Sequence, residues 1–253
     1  MQVVVDSLLT HYETAGPAKG GPLIVLLHGW GDSATGLQAL QKALAARHTV
    51  MALDLPGFGT TEAPKAVWGL DDYAQFVAAF LRKIDAGPVA VLAGHSNGGA
   101  IALRGLSKGY LQADRLVLLA SAGIRGEYKG RLKALRYVAK AGKVLTAPLP
   151  RSLKQQIRKK AYHSIGSDML VAEHLQETFK RVVTDDTRSD AQSLTIPTLL
   201  LYGENDDATP VRYGEQYHEL IDTSTLEVFA GAGHFVHLDR PAAVVRAIED
   251  FIR

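Results

Sequence analysis

Short apolar runs alternate along the chain with longer stretches in which apolar residues recur every three or four positions. The runs are continuous, which is typical of strands buried on both faces of a parallel sheet. They occupy residues 22–29, 49–55, 88–94, 115–121, 198–203 and 225–231. The stretches between them predict helices over 35–46, 71–85, 98–108, 211–221 and 241–252. The pattern therefore predicts an α/β fold, a mostly parallel sheet flanked by helices.

Two segments depart from this alternation. Residues 3–16 alternate between apolar and polar positions and predict an antiparallel hairpin at the edge of the sheet. Residues 122–194 have a helical pattern without a strand-like run, although they lie between two strands of the sheet. We therefore predict a core domain of residues 1–121 and 195–253, with residues 122–194 inserted as a helical cap or lid.

The predicted cap is strongly basic in its first half. From Arg125 to Lys160 it has twelve Lys or Arg residues and one acid, Glu127. Basic residues recur at helical spacing with apolar residues between them, a pattern that permits peripheral contact with an anionic surface. A solvated helical face is the alternative interpretation of the same charges.

Composition narrows the class of protein further. The 253 residues include no cysteine, which excludes disulfides, a cysteine nucleophile and thiolate metal sites. A formal net charge of only +2 gives no reason to expect a nucleic-acid partner. The first residues lack the pattern of a signal peptide, and no run is long enough for an integral membrane segment. We expect a cytoplasmic protein, a monomer or weak dimer, although a trimmed secreted form would look the same.

A candidate nucleophile follows the third of these runs. Gly94-His95-Ser96-Asn97-Gly98 stands directly after the apolar run 88–94 and before a helical stretch. A serine that attacks a carbonyl must be held clear of the backbone, which a tight strand-to-helix turn with small flanking residues achieves. The following helix points its N-terminal amides at the site and favours developing negative charge. We predict that Ser96 is the catalytic nucleophile.

A serine hydroxyl needs a base and an orienting carboxylate, and both types of residue follow later strands. Glu204, Asp206 and Asp207 come after the run 198–203, and His234 comes after the run that ends at residue 231. The order Ser, Asp, His accompanies this type of turn. Asp207 is the alternative candidate for the acid, and His237 is the alternative candidate for the base.

The remaining requirement is a pair of backbone N–H groups that stabilise an oxyanion. The turn His28-Gly29-Trp30-Gly31 follows the first of these runs and can present the amide of Trp30. The turn that carries the serine presents the amide of Asn97. We predict that these two amides form the oxyanion hole.

With these motifs in place, the chain resembles the α/β-hydrolase superfamily over essentially its whole length, in particular its serine esterase and lipase-like members. The matching segments are HGWGDS (28–33), DLPGFG (54–59), GHSNGG (94–99), LYGENDDATP (201–210) and GAGH (231–234). In this family the acid usually stands three residues after a glycine and four before a proline. The resemblance therefore selects Asp206, and it implies an α/β-hydrolase fold with the triad Ser96, Asp206 and His234.

The resemblance also implies a function. A single Gly-X turn, as in HGWG, is similar to that of members acting on small and medium esters, and the triad needs neither a metal nor an organic cofactor. We therefore expect a carboxylesterase that acts on a small-molecule ester. A hydrolase of another bond (lactone, thioester, amide or C–C) is one alternative, although C–C hydrolases of the family more often carry Asn than His before the serine. A ligand receptor that retains the triad is another.

Overall fold

The computed structural model describes residues 1–17, 22–125 and 172–253, and within them one eight-stranded sheet forms the core. The strands are β1 (Gln2–Val5), β2 (Leu8–Ala15), β3 (Leu23–Leu27), β4 (Thr49–Leu53), β5 (Val89–His95), β6 (Arg115–Leu119), β7 (Thr198–Gly203) and β8 (Ser224–Phe229). Their order across the sheet is β1-β2-β4-β3-β5-β6-β7-β8. From β4 to β8 all neighbours are parallel, as the apolar runs predict.

The opening hairpin provides the antiparallel edge of the sheet. Strand β1 pairs antiparallel with β2, and β2 pairs antiparallel with β4. Asp6 and Ser7 connect the two strands with positive φ angles of 46° and 67°. Positive φ at both central residues matches the right-handed twist of the flanking strands, so this short turn closes the hairpin.

Strand burial explains the continuous apolar runs, with one correction. Every residue of β3 and of β7 is buried, because helices cover both faces of the sheet there. The prediction that 225–231 is equally buried is wrong, since Thr225, Glu227 and Val228 of β8 are exposed. β8 is the last strand of the sheet, so its outer side has no neighbouring strand.

Helices flank the sheet on both sides. They are α1 (Gln38–Leu44), α2 (Leu70–Lys83), α3 (Asn97–Ser107), α4 (Gln176–Val182), α5 (Arg188–Gln192), α6 (Val211–Leu220), α7 (Val236–Asp239) and α8 (Pro241–Ile252), with 3-10 turns at Ala34–Leu37 and Glu173–Leu175. Apolar residues of α1 and α8 pack on one face, and those of α2, α3 and α6 pack on the other. Within these described residues, no helix combines the length and apolar character needed to cross a membrane.

The predicted cap lies only partly in the described ranges. Its C-terminal portion contains the 3-10 turn and helices α4 and α5, and it contacts the core through a hydrogen bond from Trp68 N to Thr178 Oγ1 (3.1 Å). Residues 126–171, which hold most of the basic segment, lie outside the described residues. The division into a core and a cap therefore stays a prediction.

Candidate active site

The turn between β5 and α3 places Ser96 in an unusual backbone conformation. Its φ of 51° and ψ of −116° lie in a region that L-residues seldom adopt. The flanking glycines are required by space: a Cβ on Gly94 would lie 2.4 Å from the backbone of Gly98, and one on Gly98 would lie 2.3 Å from Leu27 O. The turn thus brings the helix against the end of β3 and leaves Ser96 partly exposed.

Backbone hydrogen bonds hold this strained turn from several sides. Ser96 N donates to Leu119 O at 2.9 Å, and Ser96 O accepts from the amides of Gly99, Ala100 and Ala122 at 3.0–3.3 Å. A residue in a sparsely populated conformation persists only when its surroundings fix it so thoroughly. The position of Ser96 is therefore set by β6 and by the start of α3.

Asp206 and His234 are brought together across the ends of β7 and β8. Their Oδ2 and Nδ1 atoms are 2.8 Å apart. Asp206 Oδ1 also accepts from the amides of Ala208 and Thr209 at 2.8 and 2.9 Å. Burial raises the pKa of Asp206, but the hydrogen bonds from His234 and Thr209 outweigh it, so the pKa lies below its ordinary value. Asp206 is thus an ionised carboxylate that orients the ring.

The two alternative candidates, Asp207 for the acid and His237 for the base, lie in different surroundings. Asp207 is exposed, whereas Asp206 is 4% exposed and contacts the ring of His234. His237 is 1% exposed and stacks edge-on to His95, with the ring centroids 4.9 Å apart. The geometry therefore favours Asp206 and His234 as the acid and the base.

His95 links the serine turn to the histidine loop. Its Nε2 lies 3.0 Å from His234 O, and the two ring centroids are 4.8 Å apart. Because Nε2 faces a carbonyl oxygen, it carries the ring proton. The residue next to Ser96 thus contacts the backbone of His234 directly.

The two candidate oxyanion amides lie on adjoining segments. A Cβ on Gly29 would lie 3.1 Å from Ser96 Cβ, so the turn that carries Trp30 lies against the serine turn. His28 fixes this turn, since its Nδ1 donates to Gly29 O (2.7 Å) and its Nε2 accepts from Leu55 N (2.9 Å). In the described residues, the backbone N–H groups of Trp30 and Asn97 donate no hydrogen bond to a backbone oxygen, apart from any bond within a helix or strand.

An aromatic wall stands beside these amides. The Trp30 ring contacts Phe58 edge-on, with centroids 4.9 Å apart, and contacts Phe179 of α4 at 5.0 Å. Trp30 and Phe179 are each partly exposed. The C-terminal portion of the predicted cap therefore contributes one side of an apolar surface next to the serine turn.

The sequence reasoning missed several residues that hold the loops together. Glu204 accepts from Gly231 N at 2.9 Å, and Asp239 accepts from Gly233 N at 2.7 Å. Thr209 Oγ1 lies 2.7 Å from Asp206 Oδ2 and 3.1 Å from His234 Nδ1. No periodicity predicts such contacts, because each depends on loops that meet only in the folded chain.

Across residues 1–17, 22–125 and 172–253, no group of three His, Asp or Glu side chains has the arrangement of a metal site.

Three buried histidines predict a pH-dependent stability. Burial lowers the pKa of His28 and His237, and burial with the nearby rings of His234 and His237 lowers that of His95 well below 6.5. Below pH 6.5 the unfolded chain takes up protons that the folded chain does not, so the free energy of unfolding falls as pH falls. Each such histidine contributes up to about 1.4 kcal/mol per pH unit.

Urea unfolding between pH 7.5 and 5 measures this effect. His95→Gln is expected to reduce the slope by about one proton relative to the wild-type protein. His218→Gln changes an exposed ring and is the matched control for the substitution itself. A wild-type stability that does not change over this range would contradict the prediction.

Sequence comparisons place these residues among known proteins. Residues 24–247 match the family described as the alpha/beta hydrolase family. An uncharacterized protein of Mycobacterium tuberculosis is 30% identical, over 93% of this chain and 76% of its own length. A 2-hydroxy-6-oxo-2,4-heptadienoate hydrolase of Pseudomonas putida is 28% identical, over 92% of this chain and 89% of its own. A pimeloyl-[acyl-carrier protein] methyl ester esterase of Photobacterium profundum is 25% identical, over 92% and 95%.

Structural comparisons agree on the fold. A membrane phospholipase A, described as a bacterial virulence factor, has a TM-score of 0.78 at 26% identity, covering 100% of this chain and 84% of that one. An esterase from Exiguobacterium antarcticum has a TM-score of 0.75 at 22% identity, covering 99% and 98%. These similarities extend over nearly the full length of the chain.

Proposed function

The chain belongs to the alpha/beta hydrolase family, and from this premise we propose that it is a serine carboxylic-ester hydrolase acting on small-to-medium esters. One observation carries the proposal: the hydrogen-bonded pair of Asp206 and His234 lies next to the strained turn of Ser96. A base oriented by a carboxylate beside a protruding serine is the arrangement that activates a hydroxyl for acyl transfer.

Acylation begins with proton transfer from Ser96 Oγ to His234 Nε2. The serine oxygen attacks the ester carbonyl carbon, and the amides of Trp30 and Asn97 stabilise the negative charge on the tetrahedral oxygen. The intermediate then collapses, the C–O bond to the alcohol breaks, and His234 gives its proton to the leaving oxygen. Asp206 holds the Nδ1–H of the ring and stabilises the imidazolium throughout this step.

Deacylation repeats the sequence with water in place of the alcohol. His234 takes a proton from water, the hydroxide oxygen attacks the acyl-enzyme, and the acid leaves as Ser96 regains its proton. The aromatic wall of Trp30, Phe58 and Phe179 is an apolar surface that suits the acyl chain or the alcohol group of an ester.

A second candidate function is hydrolysis of a C–C bond beside a carbonyl. The relative named 2-hydroxy-6-oxo-2,4-heptadienoate hydrolase favours it, since it is more similar to this chain than the methyl ester esterase is, at 28% against 25% identity. The esterase relatives support the first candidate, and the same triad serves both reactions.

The test combines turnover with labelling of the nucleophile. Wild-type protein is offered p-nitrophenyl esters from acetate to dodecanoate, and a fluorophosphonate probe is mapped by mass spectrometry. We expect multiple turnover that is strongest at one range of acyl lengths, with the probe attached to Ser96. Labelling at another residue, or release of a single equivalent, would contradict an esterase that uses Ser96. Turnover of a vinylogous 1,5-diketone acid but of no ester would favour the second candidate.

A further inference from the structure

Two buried N–H groups at the candidate oxyanion hole have no hydrogen-bond partner. Among the described residues, the buried side-chain atoms without a partner belong to three histidines and to Trp30 Nε1 and Asn97 Nδ2. The bare Nδ1 of His95 needs no acceptor, because Nε2 of that ring carries the proton, whereas His48 and His237 each keep one ring N–H without a hydrogen bond. The indole N–H of Trp30 and the amide NH₂ of Asn97 are donors in every state, and they are the two unpartnered donors at the candidate oxyanion hole.

Trp30 and Asn97 are the same two residues whose backbone amides are the candidate oxyanion donors. The turn that carries Trp30 lies against Ser96, and Asn97 directly follows it as the first residue of α3. Both unpartnered donors therefore start from the backbone that faces the reacting carbonyl.

The surroundings offer them no acceptor within the protein. The indole of Trp30 lies between the rings of Phe58 and Phe179, and Asn97 is 4% exposed. A buried donor without a partner destabilises the folded protein, and native proteins seldom leave one without a compensating role. In apolar surroundings a hydrogen bond to a ligand is correspondingly strong. A substrate that supplies an acceptor would relieve this cost on binding.

Covalent geometry limits where that acceptor can lie. Asn97 Nδ2 is four bonds from the amide nitrogen of the same residue, a reach of at most about 5 Å. An oxygen that meets the side chain while the scissile oxygen meets the amide must therefore belong to a group close to the reacting carbonyl. Both donors are uncharged and the Asp206 carboxylate is nearby, so a neutral carbonyl oxygen fits better than an anion.

We propose that Asn97 Nδ2 and Trp30 Nε1 form a second acceptor subsite beside the oxyanion hole, which selects acyl groups that carry an oxo oxygen near the scissile carbonyl, the 3-oxoacyl class. The inference rests on the proposed role of Ser96 and specifies the substrate of that same site. The scissile oxygen binds the two backbone amides, and the oxo oxygen binds the two side chains.

The kinetic test uses two ethyl esters of equal chain length. Ethyl 3-oxobutanoate and ethyl butanoate are hydrolysed in a pH-stat, and kcat/KM for each ester is divided by the rate constant of its hydroxide-catalysed hydrolysis. The ratio compared between variants is this corrected value for the oxo ester over that for ethyl butanoate. We expect the wild-type ratio to favour the oxo ester about tenfold or more, since one added hydrogen bond in a buried site gives that order of discrimination. Asn97→Leu should lower the ratio about tenfold, and Trp30→Phe should lower it severalfold.

The chain offers a matched control because it has two tryptophans. Trp68 packs against Tyr73 and Phe76. Trp68→Phe removes the same indole N–H outside the site and should keep the wild-type ratio. A wild-type ratio near one would overturn the subsite, and so would a ratio that neither Asn97→Leu nor Trp30→Phe changes. Hydrolysis of both esters in that case would leave the esterase proposal standing.

A binding measurement separates the subsite from turnover. In Ser96→Ala/Trp68→Phe, Trp30 is the sole tryptophan, so its fluorescence reports ligand at the subsite. Ethyl 3-oxobutanoate should change this fluorescence with a Kd about tenfold below that of ethyl butanoate, and adding Asn97→Leu should remove the difference. This result would support the subsite even if neither ester is hydrolysed. Equal affinity for the two esters, or binding of neither, would overturn it.

Discussion

Ser96→Ala is expected to lower kcat for ester hydrolysis by about 10⁴-fold or more, because alanine has no oxygen to form the acyl-enzyme. The residual rate would come from the oxyanion amides and from substrate binding, which do not depend on the serine hydroxyl. The loss should appear with every ester that the wild-type protein hydrolyses. Steady-state kinetics with p-nitrophenyl butanoate, at enzyme concentrations high enough to detect the residual rate, measures it.

Ser96→Ala needs two controls, one for the stability of the fold and one for the loss of a hydroxyl elsewhere. Alanine and serine both have a Cβ, so the strained backbone at residue 96 is retained and the urea midpoint should change little. Ser189→Ala removes a hydroxyl at an exposed position of α5, outside the turn, and should keep the wild-type rate. Retention of more than about one per cent of kcat by Ser96→Ala would contradict a nucleophilic role.

Asp206→Asn is expected to lower kcat by about 10³–10⁴-fold. The amide that replaces the carboxylate would offer an N–H to His234 Nδ1 and favour the ring tautomer whose Nε2 bears the proton, so Nε2 could no longer accept the serine proton. The stabilisation of the imidazolium would be lost as well. Asp207→Asn makes the same chemical change one residue away, on an exposed side chain, and should stay within about threefold of the wild-type kcat.

The pair of aspartate variants is informative because the two residues are neighbours. Equal losses in both, or a larger loss in Asp207→Asn, would contradict the assignment of the acid to Asp206. Circular dichroism and urea unfolding of both variants distinguish a lost charge from a lost fold. Asp206 accepts two backbone amides of its own loop, so some destabilisation of Asp206→Asn is expected together with the kinetic effect.

The sheet and the serine turn follow directly from the sequence. Continuous apolar runs predict buried parallel strands because helices must cover both faces of such a sheet, and the runs 88–94 and 198–203 coincide almost residue for residue with β5 and β7. Gly94 has a local cause, since a Cβ there would lie 2.4 Å from the backbone of Gly98, whereas a Cβ on Gly98 would meet Leu27 O of the neighbouring strand β3. The apolar runs and the close approach of Gly94 to Gly98 can be interpreted before any long-range contact is known.

Other features depend on contacts that a single sequence does not express. Without the family pattern, Asp206 and Asp207 are equivalent in composition and spacing, and only folding buries one and exposes the other. The exposure of β8 depends on which strand ends the sheet, and the role of Glu204 depends on the loop after β8, which contains Gly231. The unpartnered groups of Trp30 and Asn97 likewise emerge only when burial is known.

The backbone conformation of Ser96 has a consequence for attempts to engineer this protein. A non-glycine residue held at φ 51° and ψ −116° costs of the order of 1–3 kcal/mol, a cost that glycine would largely avoid. Selection for expression or heat resistance alone would therefore reward loss of the very side chain on which turnover depends. Libraries built on this scaffold need activity in the screen, since at residue 96 robustness and catalysis favour different amino acids.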